Sequence, residues 1–138
     1  MTKEFIPIEQ KYSNDCAIAA LAMLVDLPYS DVRKTILETQ SPKKPFDGVT
    51  FSHAKRGMAL YGLRLRRVDL EYCVDKYLQL MNHPGVLMVP GRNTAYPNEW
   101  HAVYWDGRHV YDPSPTKKYG KNGKTAIKLA TDVWQLTS

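Results

Sequence analysis

Residues 17–25 of this 138-residue chain read Ala-Ile-Ala-Ala-Leu-Ala-Met-Leu-Val, without a polar side chain anywhere around the cylinder they would form. A helix that is apolar on every side has no solvent face and belongs at the centre of a core. The rest of the chain must therefore wrap around it. The helix is expected over 15–27. Asn14 or Asp15 is placed to cap it, since a short side-chain acceptor can bond the free N–H groups of the first turn, and Pro28 is placed to stop it.

The wrapping elements follow from periodicity and punctuation. Ser30 is expected to cap a second helix running to about Glu38, with Val32, Ile36 and Leu37 inward. Pro42, Pro45 and Gly48 mark 40–48 as a loop. Thr50 caps a third helix to about Tyr61, with Phe51, Ala54, Met58 and Tyr61 at helical spacing and Gly62 beyond its end. A short strand over 63–68 and a helix over 70–82 follow, the latter with Val74, Tyr77, Leu78 and Met81 on one face. Strands are expected at 85–89, 100–105 and 108–112, with a last one around 125–129 and 133–136. Helices followed by antiparallel strands argue for an α+β fold. No linker composition interrupts 1–138, so a single domain is expected.

Composition excludes several classes. No apolar run approaches the roughly 18 residues of a membrane span. The first ten residues, MTKEFIPIEQ, have no apolar stretch of a secretory signal. Two cysteines 57 positions apart provide neither a disulfide framework nor a structural zinc site. No glycine-rich phosphate loop and no internal repeat is visible. A cytoplasmic, reducing setting is expected.

The net charge of +5 is unevenly spread. Residues 113–131 carry Lys117, Lys118, Lys121, Lys124 and Lys128 and no acid, and 48–68 carry Lys55, Arg56, Arg64, Arg66 and Arg67 and no acid. Such segments can attract an acidic partner. No nucleic-acid motif accompanies them, which disfavours that class, and a solvated basic face is the plainer explanation.

Asp106-Gly107 between two β-rich runs is a hairpin signal. A two-residue turn there would set Tyr104 opposite His109, Val103 opposite Val110 and His101 opposite Asp112. Directly opposed residues share a face with Cβ atoms about 4.5–5.5 Å apart. Asp112 would then orient the His101 imidazole and stabilise its charged form. His109 falls on the other face.

Cys16 falls at the first turn of the buried helix, where free N–H groups and the helix dipole favour a thiolate, the reactive form. Taken alone, a cysteine there is more often a small buried hydrophobe. Gln10, six residues upstream, could aim an amide donor at a developing oxyanion, with the Cys16 backbone N–H as a second donor.

Gln10-Lys-Tyr-Ser-Asn-Asp15-Cys16 and the small-residue helix after it resemble the active-site segment of papain-like cysteine peptidases, in particular the bacteriocin-processing family. That family cleaves double-glycine leader peptides and often stands at the N-terminus of ABC exporters. Its second motif, a His opening a strand and an Asp-Pro after a hairpin, is similar to Trp100-His101-Ala-Val-Tyr and Tyr111-Asp112-Pro113. The likeness runs from Gln10 to Pro113. One departure is Ala17, where the family usually has Gly. The resemblance implies a papain-like fold with the nucleophile helix packed on a C-terminal antiparallel sheet. It implies Cys16 as nucleophile, His101 as general base and acid, Asp112 as its orienter and Gln10 in the oxyanion hole, with no metal and no cofactor. A free-standing member of this size is expected in a bacterium or phage.

Asn14 and Trp100, next to the nucleophile and the histidine, are candidate substrate contacts, and the polar segment 93–98 could rim the cleft. His53 is a weaker alternative base, His83 a loop residue and Cys73 an inert thiol. The expected function is a thiol hydrolase that cleaves a peptide or isopeptide amide. The competing readings keep the groups but transfer the acyl chain or deamidate, or leave Cys16 idle in a module that binds an acidic partner or nucleic acid.

Overall fold

The computed structural model describes residues 7–11, 15–40, 48–90, 100–114 and 124–137. In chain order the elements are α1 (Cys16–Val25), α2 (Tyr29–Glu38), α3 (Phe51–Ala59), β1 (Arg64–Asp69), α4 (Lys76–Leu80), β2 (Gly85–Pro90), β3 (Trp100–Trp105), β4 (Val110–Tyr111), α5 (Lys124–Leu129) and β5 (Asp132–Thr137). The five strands form one antiparallel sheet in the order β1-β5-β2-β3-β4.

Strand alternation divides the core between the two faces of this sheet. Leu65, Val86, Ala102, Tyr104 and Trp134 join Ile18, Leu21, Val32, Ile36, Ala54 and Met58 of α1–α3 in one cluster. Leu87, Val89, Val103, Trp105 and Val133 join Leu80 of α4 and Ala126 and Ile127 of α5 in the other. A sheet buried on both faces needs near-continuous apolar strands, which is what Gly-Val-Leu-Met-Val supplies in β2. Gly85 is required there, because a Cβ would sit 2.7 Å from the Trp134 carbonyl oxygen of β5.

α1 occupies the central place its composition demands. Residues 17–22 are buried to 3% exposure or less, and the helix packs on α2, β2 and β3. It ends at Asp26, which takes a left-handed conformation with φ 56°, ahead of Pro28. The expected cap is corrected. Asp15 stands at the N-cap position but makes no side-chain cap bond, because its carboxylate is taken by partners on α2. α3 begins as expected, with Thr50 Oγ1 accepting the His53 N–H.

Two expectations fail in the second half. The helix over 70–82 shrinks to α4, because Asp69 Oδ1 accepts the Glu71 N–H in a turn and Asp75 Oδ1 accepts the Leu78 N–H as a cap five residues later than the predicted start. Tyr72, Val74, Tyr77, Leu78 and Met81 are exposed, and it is Leu70 and Leu80 that are buried. The expected strand around 125–129 is instead α5, whose Ala126 and Ile127 face the sheet, and only 132–137 is extended.

The hairpin is also longer than a two-residue turn. Asp106 Oδ1 accepts the N–H groups of Arg108 at 2.7 Å and His109 at 2.6 Å, and Gly107 takes φ +102°, so 106–109 form the connection. Trp105 pairs with Val110 and Tyr104 with Tyr111. The register therefore slips by two residues from the expected one. A slip of two keeps every side chain on its original face, so His101 and Asp112 become diagonal rather than direct neighbours, still within side-chain reach.

Candidate active site

Three segments far apart in sequence meet at the head of α1. Cys16 is the first residue of the helix and is half-buried. With Asp15 not capping, its side chain leaves the first-turn N–H groups to other acceptors. His101 opens β3, beside Trp100. Asp112 follows β4.

His101 Nε2 lies 2.6 Å from Asp112 Oδ1. The Asp112 side chain is 1% exposed and the imidazole 16%. The same Oδ1 accepts the Ser114 N–H at 2.9 Å, which fixes the carboxylate in place. With Nε2 engaged, the nitrogen left for another partner is Nδ1, and the Cys16 thiol is within hydrogen-bonding and Coulombic reach of the ring. Burial pulls the His101 pKa down. The hydrogen bonds with Asp112 and Cys16, and the attraction of both, outweigh burial and raise it to about 9.

The Gln10 segment is tied to this cluster through its backbone. Gln10 N–H donates to the Pro113 carbonyl at 2.8 Å, one residue past Asp112. Gln10 Oε1 is buried, so the amide end is turned into the protein. The neighbouring Lys11 N–H donates to the Tyr29 hydroxyl at 3.2 Å.

Sequence reasoning missed the surroundings of Asp15. This carboxylate, the residue before Cys16, is fully buried. Arg33 Nε binds its Oδ2 at 2.9 Å, and the Tyr29 hydroxyl donates to the same oxygen. Burial, followed by the bond to Asp15, pushes the Tyr29 hydroxyl up to about 12, so it stays protonated. Both partners lie more than a dozen residues away on α2, and no local pattern marks them.

The remaining candidates separate from the site. His53 Nδ1 is 2.9 Å from Thr50 Oγ1 at the start of α3. His109 is exposed in the hairpin connection near Asp106. Cys73 is a free thiol in the turn before α4. Trp100 precedes His101 at the start of β3 and is 57% exposed, a large apolar side chain left to solvent. Asn14 and the 93–98 segment lie outside the described residues, as do Lys117, Lys118 and Lys121. In the other basic segment, Arg67 pairs with Asp132 at 2.9 Å and Arg66 binds Gln135 at 3.1 Å. Among the described residues no three His, Cys, Asp or Glu side chains are grouped to hold a metal ion, and no helix is long and apolar enough to cross a membrane.

The mixed arrangement of helices on an antiparallel sheet, with α1 buried against it, is that of papain-like peptidase domains. The solved structures it resembles are specific ones. The peptidase domain of Streptococcus ComA, a bifunctional ABC transporter involved in a quorum-sensing pathway, superposes with a TM-score of 0.66 at 16% identity, over 97% of this chain and 98% of that one. The peptidase domain of Streptococcus mutans ComA gives 0.58 at 18% identity over 95% and 98%. A double-glycine-motif protease from an AMS/PCAT transporter, solved with its leader peptide, gives 0.58 at 15% over 96% and 91%. The fold is therefore shared with the peptidase domains of these transporters. No protein-family model matches the sequence, and no curated protein matches it.

Proposed function

We infer that the protein is a cysteine peptidase that cleaves a peptide amide through Cys16, His101 and Asp112. One observation carries this reading: a buried carboxylate holds His101 by Nε2, and the same ring is within hydrogen-bonding reach of a half-buried thiol at the head of the core helix. A protonated imidazole there favours the thiolate of Cys16, the nucleophilic form. The thiolate attacks the substrate carbonyl carbon, and the carbonyl oxygen takes up the negative charge. The Cys16 N–H and the Gln10 amide stabilise that oxyanion. His101 protonates the leaving amine, then takes a proton from water as water releases the acyl group. The AMS/PCAT neighbour binds a leader peptide, which supports a peptide as the substrate, with Trp100 as an apolar contact for it.

The test is mass spectrometry of synthetic leader-type peptides with a double-glycine junction, incubated with wild type and Cys16→Ala. Cleavage after the junction by wild type alone is expected. Intact peptide with both proteins, together with iodoacetamide labelling of Cys16 no faster than of Cys73, would overturn the reading. A product shifted by transfer to an added amine, or a glutamine converted to glutamate, would redirect it to the transferase or deamidase outcome of the same groups.

A further inference from the structure

The Tyr29 hydroxyl bonds to the chain neighbours of two proposed site residues. It donates to Asp15, the residue before Cys16, and accepts the N–H of Lys11, the residue after Gln10. On its far side the Gln10 segment is bonded through Gln10 N–H to Pro113, the residue after Asp112. The short Gln10–Lys11 stretch is thus held at two consecutive amides, one from the Asp112 side and one from the Cys16 side. Asp15 is itself buried and bound by Arg33 Nε at 2.9 Å. The hydroxyl is a single-atom link between the start of α1 and a segment with no secondary structure of its own.

We propose that Tyr29 is a positioning residue of the oxyanion hole, holding the Gln10 amide at a fixed distance from the Cys16 sulfur and N–H. The inference rests on the peptidase reading above. A donor serves an oxyanion only if it is already in place when the charge appears, and a misplacement of about 1 Å can cost a hundredfold in rate. Lys11 is exposed, so without the Tyr29 acceptor its N–H turns to water and the segment loses its bond to the Cys16 side.

Two reagents separate this role from a merely structural one. Iodoacetamide alkylates the Cys16 thiolate by displacement of iodide at carbon, so no oxyanion forms. A glycyl-glycinal aldehyde forms a C–S bond with the thiolate while its carbonyl electron pair moves to oxygen, which then takes a proton, giving a hemithioacetal whose oxygen lies in the hole. The aldehyde affinity is read by protection of Cys16 against alkylation, so no natural substrate is needed. Tyr29→Phe is expected to weaken aldehyde binding roughly 10-fold, a fraction of the 10²–10³ that follows complete loss of one hole donor. The alkylation rate and its pH profile are expected to stay within about twofold of wild type.

Unchanged aldehyde affinity in Tyr29→Phe would overturn the proposal, as would equal losses with both reagents. Should the variant fail to fold, hydrogen exchange on wild type decides: the Lys11 amide is expected to be protected despite its exposure, and exchange at the free-peptide rate overturns the link. A wild-type Cys16 that reacts selectively with neither reagent refutes the peptidase reading itself, and this inference with it. A reactive Cys16 with Tyr29-independent aldehyde affinity refutes this inference alone.

Discussion

Replacing Asp112 with Asn should move the titration of His101 while leaving the fold in place. Asp112 Oδ1 accepts from both His101 Nε2 and the Ser114 N–H, and an asparagine oxygen can accept the same two bonds. The shape is kept and the charge is removed. In the wild type His101 is raised from 6.5 to about 9 against the downward pull of burial, a displacement worth about 3 kcal/mol at ~1.4 kcal/mol per unit. The bond to Asp112 is the first of the contributions that raise it. A neutral acceptor is roughly half as strong as a charged one, and burial still opposes the charge. His101 should therefore fall by about one unit or more, which is about 1.4 kcal/mol. The linkage has a definite sign. A folded-state pKa above the unfolded value contributes stability that is complete below 6.5 and disappears as pH rises through about 9. The stability gap between wild type and Asp112→Asn should then narrow by about 1–2 kcal/mol between about pH 6 and pH 10. Urea unfolding across that range measures the gap, and NMR titration of the His101 ring measures its cause. A wild-type His101 that titrates near 6.5, or a stability gap independent of pH, would refute the reasoning.

Three further outcomes are expected. Arg33→Met leaves the fully buried Asp15 carboxylate without its cation, and loss of about 3 kcal/mol in urea unfolding should follow, with Arg33→Lys recovering part of it. Gly85→Ala forces a Cβ against the β5 backbone and should cost about 3 kcal/mol or more, seen as a lowered Tm, because a strand carbonyl cannot step aside as a side chain can. Trp100→Ala removes an exposed ring; its unfolding free energy should change by no more than about 0.5 kcal/mol, while KM for a cleaved peptide rises and kcat is held. A fall in kcat with KM unchanged would show that the ring acts on the chemistry and not on substrate binding.

What could be read from the sequence was what depends on period and chemistry rather than on distant partners. An all-apolar run has one destination, so α1 was legible. The His101–Asp112 contact survived an error in the turn because the pleat has a period of two and the register moved by two. The turn itself was misjudged because the Asp106 side chain bonds two successive N–H groups, a local competitor to the two-residue turn. Residues 125–129 satisfy both a strand pattern and a short helix; packing of Ala126 and Ile127 on the sheet decides for the helix. Asp15 looks like a cap in one dimension, and only the arrival of Tyr29 and Arg33 from α2 makes it a buried ion pair. The order β1-β5-β2 brings the last strand between two earlier ones, a non-local choice with no local signal. The basic run over 64–67 then falls on an edge strand, where charge discourages pairing with other chains.

The bond from Gln10 N–H to the Pro113 carbonyl closes a loop of about a hundred residues. Contacts that span so much chain form late, after the entropy of closing the loop has been met by other interactions. The contacts within α1 are local, whereas Gln10 and His101 are joined to the same unit only with the completed sheet. On the proposed reading, a nascent or partly unfolded chain would carry an unarmed thiol, and cleavage would be a property of the finished fold alone.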